Sequence, residues 1–241
     1  HRFIVDSTRP TTPGTPNLSS SDDTGYSSSD DITNKSSGLT FSWSSSSDNG
    51  TGLAGYEWRL DSGSWYSVSS TSKDISASNG SHTFYVRAKD NAGNYSYSRS
   101  KNFTVDTIKP NIPSISYPSA NQHITDTTPN FDWSGSDNSG GSGIWRYHLL
   151  VETDTFGQNK IDEYPTSSSY NTPSSQALDD GAGYDWEVWA YDIAGNVSSG
   201  TGEKRFYIDE PPRSGYIVSV DPDGFDGTSK TVTVSVKNTG R

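Results

Sequence analysis

Short runs along the chain alternate apolar with polar residues. In Leu39-Thr40-Phe41-Ser42-Trp43, the residues Leu39, Phe41 and Trp43 fall on one face of an extended strand. Phe84, Val86 and Ala88 share a face in the same way, as do Trp186, Val188 and Ala190. Tyr56 and Trp58 alternate before Leu60, Tyr147 and Leu149 before Val151, and Val232, Val234 and Val236 near the C-terminal end. No window of helical length carries apolar residues at i, i+3, i+4 and i+7, so an all-β chain is predicted. Gly, Ser and Asn clusters punctuate each strand, as tight turns require.

The strands recur in order. Ala88-Lys89-Asp90-Asn91-Ala92-Gly93-Asn94 returns as Ala190-Tyr191-Asp192-Ile193-Ala194-Gly195-Asn196. Phe103-Thr104-Val105-Asp106 with Pro110 repeats Phe3-Ile4-Val5-Asp6 with Pro10, and Phe206-Tyr207-Ile208-Asp209 is a third copy. Phe41-Ser42-Trp43 followed by Asp48 matches Phe131-Asp132-Trp133 followed by Asp137. Ordered motifs about 100 residues apart predict duplicated sandwiches of immunoglobulin size, arranged as an elongated rod. The expected units are residues 8–106 and 107–209. Residues 1–7 read as the last strand and linker of a preceding domain, and 210–241 as the incomplete beginning of a third sandwich.

Composition changes this picture in one respect. Leu, Ile, Val and Phe make up only about 16% of the chain, a level at which disorder is the default reading. The 12% of aromatics, with 7 Trp and 14 Tyr, overturns that default. Bulky aromatics can fill the roughly 10 Å gap between two sheets, and no disulfide can help, because cysteine is absent. Trp43, Trp58, Phe84, Trp133, Tyr147 and Trp186 are the expected core. Trp65, Tyr66 and Trp145 fall on the other phase or in loops and are candidates for stacking on sugars. A net charge of −11 without a basic stripe argues against nucleic acid as partner. No apolar run reaches the length of a membrane span.

Val-Asp-Thr-Ile-Lys-Pro at 105–110, Ala-x-Asp-x-Ala-Gly-Asn at 88–94 and 190–196, and Thr-Pro-Asn-Phe-Asp-Trp-Ser at 128–134 resemble tandem bacterial immunoglobulin-like domains. Such modules have an immunoglobulin or fibronectin-III-like fold and occur in adhesins, surface-layer proteins and large secreted enzymes. The resemblance implies an extracellular or cell-surface location. In some of those adhesins, linker and loop aspartates hold calcium between domains. The second unit lacks the stretch at residues 21–33 with Asp22, Asp23, Asp30 and Asp31, so a site built on that loop is expected once only.

Catalytic signatures are missing. His1, His82, His123 and His148 are scattered without ligand spacing, and there is no nucleophile elbow. The aspartates form the distributed constellation. In an immunoglobulin-like sandwich the B–C and F–G loops meet at the end where the chain enters. That brings Asp6, Asp48 and Asp90 to one joint and Asp106, Asp137 and Asp192 to the next. Two readings stay open: a calcium site completed by carbonyls and water, or turn capping through backbone amides. The four residues from Asp106 to Pro110 reach at most about 14 Å, which keeps successive domains close. The functional expectation is a non-catalytic spacer or adhesin stalk. Its partners would be neighbouring domains of the same long chain, identical subunits or surface glycans. The alternative is a carbohydrate-binding accessory of a secreted glycoside hydrolase or protease.

Overall fold

A computed structural model describes residues 5–154 and 157–210. The third sandwich expected from residue 210 onward, and most of the expected incoming strand at 1–7, lie outside the described residues.

The first repeat has eight strands: β1 (Asn17–Leu18), β2 (Ile32–Thr33), β3 (Ser37–Ser42), β4 (Leu53–Leu60), β5 (Tyr66–Val68), β6 (Ser72–Ser76), β7 (Gly80–Asp90) and β8 (Arg99–Val105). The second has β9 (Ser114–Tyr117), β10 (Gln122–Ile124), β11 (Asn130–Ser134), β12 (Ile144–Thr153), β13 (Asn159–Glu163), β14 (Ser169–Asn171), β15 (Gly183–Asp192) and β16 (Lys204–Ile208). The one helical turn described is a 3-10 turn at Ser174–Gln176.

Each repeat is a two-sheet sandwich. In the first, β1-β3-β6 faces β2-β8-β7-β4-β5; in the second, β9-β11-β14 faces β10-β16-β15-β12-β13. The pairings are antiparallel except β2 on β8 and β10 on β16, which run parallel. The copies agree even in an irregularity: register shifts between Leu53 and Gly55 on β4, and between Ile144 and Arg146 on β12. A bulge there bends the strand as it leaves the domain's end.

The alternating residues fill the gap as expected. Leu39, Phe41, Trp43, Phe84, Val86 and Ala88 are buried in one core, and Phe131, Trp133, Tyr147, Trp186, Val188 and Ala190 in the other. Trp43 meets Tyr56 edge-on at 5.7 Å, and Trp133 meets Tyr147 at 5.4 Å. Trp58 is the exception. It is half-buried, packed against the core and stacked 5.9 Å from Phe84, with the Lys73 ammonium 5.5 Å from its ring centroid. Phe103 and Phe206, on the strands that lead into each linker, complete the filling.

Candidate cation-binding joint

The last residue of β7 or β15 begins a tight turn. The Asp90 amide donates to the Asn94 carbonyl at 3.1 Å, and the Asp192 amide to the Asn196 carbonyl at 3.1 Å. Gly93 and Gly195 both sit at φ +96°, a left-handed conformation that favours glycine. The asparagine closing each turn then ties that turn to the linker. Asn196 Nδ2 donates to Asp192 Oδ2 at 2.7 Å and to the linker carbonyl of Asp106 at 2.8 Å. Asn94 makes the same two bonds, to Asp90 at 2.8 Å and to the Asp6 carbonyl at 3.1 Å.

This clamp brings the three aspartates of each set together. Within Asp6, Asp48 and Asp90, and within Asp106, Asp137 and Asp192, one carboxylate oxygen from each residue lies within 4.8 Å of the others. The sequence reading named both sets. It missed Asn94 and Asn196, although their place in the repeated motif was the available signal.

Backbone amides satisfy part of each set. Asp48 Oδ2 accepts from Gly50 and Gly52, and Asp137 Oδ2 from Gly143. Asp6 Oδ2 accepts from Thr51 and Asp106 Oδ2 from Ser142, both at 2.7 Å. Glycine is needed beside them for space. A Cβ on Gly50 would lie 2.2 Å from Asp6 Oδ2, and one on Gly141 2.5 Å from Asp137 Oδ2. The amide bonds fit the capping reading. Asp48 Oδ1 does not, because it is buried without a hydrogen-bond partner. Three carboxylates at this spacing, one with an orphaned oxygen, make a hard-oxygen donor set suited to a divalent cation.

Environment separates the linker aspartates of the two sets: Asp106 is buried and Asp6 half-buried. Asp192 is fully buried, and its carboxyl is pushed above the ordinary range, first by burial and further by the Asp106 and Asp137 charges. Asp6, the half-buried linker member of the other set, is held below that range by hydrogen bonds from the Thr8 and Thr51 amides, while Asp90 beside it is buried.

The difference comes from the loop between β1 and β2, which crosses from the first repeat to the second. Thr24 Oγ1 donates to the Ala194 carbonyl at 2.8 Å, and the Tyr26 amide to the Ile193 carbonyl at 3.0 Å. The Tyr26 ring lies 5.1 Å from that of Trp145. Backbone meets backbone here: a Cβ on Gly25 would lie 2.0 Å from the Ile193 oxygen. The loop's own aspartates hold its base. Asp22 pairs with Lys35 at 2.9 Å and Asp31 with Lys101 at 2.6 Å. Asp23, only 5% exposed, accepts the Asp31 amide through Oδ2, while its Oδ1 has no donor. Burial, and then the neighbouring Asp30 and Asp31 carboxylates, raise its pKa to about 6.

Trp65 and Trp145 lie on outer sheet faces, whereas Tyr66 is the cross-strand neighbour of Trp58 at the edge of the inner face. Trp65 packs against two guanidinium groups, Arg59 at 4.8 Å and Arg87 at 4.1 Å. Trp145 carries Arg146 at 3.9 Å besides Tyr26. Tyr66 is 58% exposed, its ring 5.5 Å from Trp58. In the second repeat His148 is stacked between Tyr164 at 4.4 Å and Trp189 at 5.0 Å. Rings stacked at strand spacing present edges, not faces, to solvent.

Residues 10–107 match a family model described as a bacterial Ig-like domain. The first repeat is a bacterial Ig-like domain. The second has its topology and its motifs, so the chain is a tandem of sandwiches. The Ig-like module is non-catalytic, as the absence of catalytic motifs anticipated. Exoglucanase B of Cellulomonas fimi is 30% identical over 219 residues, covering 84% of this chain and 18% of that protein. Exoglucanase A of the same organism is 32% identical over 166 residues, covering 66% of the chain and 18% of the relative. The chain thus spans about a fifth of the length of these relatives. A crystal structure of titin domains superimposes with a TM-score of 0.53 at 13% identity, covering 83% of this chain and 68% of that one, a likeness of fold alone. Among the described residues no helix is long and apolar enough to cross a membrane.

Proposed function

We propose that these repeats are an extracellular spacer in a longer polysaccharide-degrading protein, and that calcium stiffens their joints into a rod. The observation that carries this reading is the convergence of three carboxylates at each domain entry, one each from linker, B–C loop and F–G turn, where one asparagine ties turn to linker. A divalent cation bound there would relieve the mutual repulsion of the carboxylates and fix the angle between domains. The relatives named exoglucanase, of which the chain matches about a fifth, support a place beside catalytic units. A stalk in an adhesin is the same mechanical role in another parent protein.

Binding only to the folded state raises stability by mass action, about 2.7 kcal/mol at a hundredfold excess over Kd. Melting and small-angle scattering, with millimolar calcium and then with chelator, therefore test the joint. A higher midpoint and a longer, narrower distance distribution with calcium are expected, and both gains should vanish in Asp192→Ala. Indifference to chelation would make the aspartates turn caps. A second assay addresses the sugar-binding alternative. The chain should not sediment with insoluble glucan, because Trp65 and Trp145 already have cations against their rings. Retention abolished by Tyr66→Ala would instead favour direct carbohydrate binding.

A further inference from the structure

The F–G turn of the second repeat is a receptor in use: the carbonyls of Ile193 and Ala194 accept from Tyr26 and Thr24, and Gly25 lies against Gly195. The first repeat carries the same turn at Asn91-Ala92-Gly93. Its internal bonds match one for one. The Ala92 amide donates to Thr51 Oγ1 at 3.1 Å, as the Ala194 amide does to Ser142 Oγ at 3.1 Å, and the two glycines share φ +96°. The corresponding acceptors, the Asn91 and Ala92 carbonyls, have no hydrogen-bond donor among the described residues. A Cβ on Gly93 would meet nothing within 4 Å, whereas one on Gly195 would lie 2.8 Å from the Gly25 Cα.

Beside this open turn, Ala54 stands where the second repeat has Trp145, and Lys89 where it has Tyr191. A hollow of about 310 Å³ opens there, bordered by Ala54, Gly55, Val68, Ser69 and Lys89. By the same register Gly55 stands where the second repeat has Arg146, whose guanidinium lies over Trp145, Tyr164 and Tyr191, so the first repeat lacks the side chains that fill this place in the second. A basic side chain borders the hollow.

We infer that the Asn91-Ala92-Gly93 turn is a docking site for a Thr-Gly-aromatic loop of a preceding Ig-like domain, acidic like residues 22–31 of this chain. The Gly of that loop lies on Gly93, and its amide and hydroxyl donors reach the two open carbonyls. The aromatic side chain that follows enters the hollow over Ala54, and the loop's carboxylates face Lys89. The occupant is chosen by the occupied copy of the same turn, so the inference stands whether or not the joints hold calcium. The second repeat cannot pass the contact on, because β9 and β10 are joined by residues 118–121 alone.

The test is a fusion in which a second copy of residues 8–106 precedes residue 7 of the whole chain. The chain has no cysteine, so pairs of introduced cysteines can carry spin labels without background. One pair, Ser28→Cys in the original copy with Thr166→Cys, reports the joint already described and shows that the fusion is folded. The other, Ser28→Cys in the added copy with Ser69→Cys in the original one, reports the new joint. The new pair should give a distance distribution as narrow as the first pair. Gly25→Trp in the added copy should abolish that narrowness while leaving the first pair unchanged. A broad distribution at the new joint, or a narrow one indifferent to Gly25→Trp, would overturn the inference. Coupling that disappears on dilution would assign the turn to a second copy of the chain and overturn it equally.

Discussion

The two aspartate sets differ in what covers them. Their turn geometry, amide donors and asparagine clamp coincide to within a few tenths of an ångström. Yet the linker aspartate Asp106 is buried while its counterpart Asp6 is partly open to solvent; Asp90 and Asp192 are both buried, and Asp48 and Asp137 both half-buried. The cause is the loop through Gly25, present over one set and absent from the described surroundings of the other. Local sequence thus builds the turn, and a neighbouring domain decides its dielectric environment. The same motif keeps its turn aspartate buried in both copies, and only the shielding of the linker aspartate changes.

The largest break in the comparison comes from separating the domains energetically. Trp186→Ala removes a fully buried indole whose Nε1 donates to the Pro118 carbonyl at 3.2 Å, and is expected to cost about 3–5 kcal/mol. In calorimetry the second repeat should melt earlier while the first keeps its midpoint. A common shift of both would mean that the joint couples them into one unit.

Next in size is the clamp. Asn196→Ala leaves the Asp106 carbonyl and Asp192 Oδ2 without their donor, a loss of about 1–3 kcal/mol for buried acceptors. Asn94→Ala removes the equivalent bonds, but at half-buried Asp6 water can replace one of them while buried Asp90 loses its donor outright, so its cost should be somewhat smaller. Equal losses in denaturant titrations of the two variants would show that covering the turn does not matter.

Acidity sharpens the contrast, in the presence of chelator. Asp23 and Asp192 have raised folded-state pKa values, so the folded state binds their protons more readily than the unfolded chain does. For Asp23 the penalty is absent below about pH 4 and complete above about pH 6. Lowering the pH from 7 to 5 should therefore tighten the covered joint. Asp6 runs the other way: its lowered pKa gives stability above about pH 4 that is lost on further acidification. Asp23→Asn, whose amide can donate to Asp30, should raise the midpoint at pH 7 by a few degrees and flatten its dependence between pH 5 and 7. An unchanged pH profile would count against the carboxylate pair.

The smallest effect is expected from Tyr26→Ala, which removes one aromatic pair worth about 0.5–1.5 kcal/mol but keeps the backbone bonds to Ile193. Hydrogen exchange at the residue 26 amide should quicken modestly. Full loss of protection would transfer the docking energy from Gly25 to the ring.

Which parts were readable from the residues follows from the range of the interactions. Alternation marked Phe41, Phe84 and Trp186 as inward because burial on one sheet face is a local pattern. The duplicated Asp-x-Ala-Gly-Asn placed both aspartate sets because a duplicated turn is also local. Trp58 has the same alternation as Tyr56 and packs on the core, but Lys73 lies over its ring, and alternation on one strand does not report what a neighbouring strand sets against it. The docking of Gly25 on Gly195 spans 170 residues, occurs once and uses main-chain atoms, which leave no composition signal. Trp65 and Trp145 could be placed outside the core, but the guanidinium groups against them come from other strands.

Asn94 and Asn196 each begin an Asn-x-Ser triplet, the acceptor sequence for N-linked glycans. The nitrogen that would carry the sugar is the Nδ2 that holds each turn to its linker. Attachment would remove one of its two hydrogens and place a bulky saccharide in the clamp. Material secreted by a glycosylating eukaryotic host would then arrive with unhinged domains, while the same polypeptide from a host lacking that pathway would not. The choice of expression system is thus itself a perturbation of the joint, readable by mass spectrometry at two asparagines.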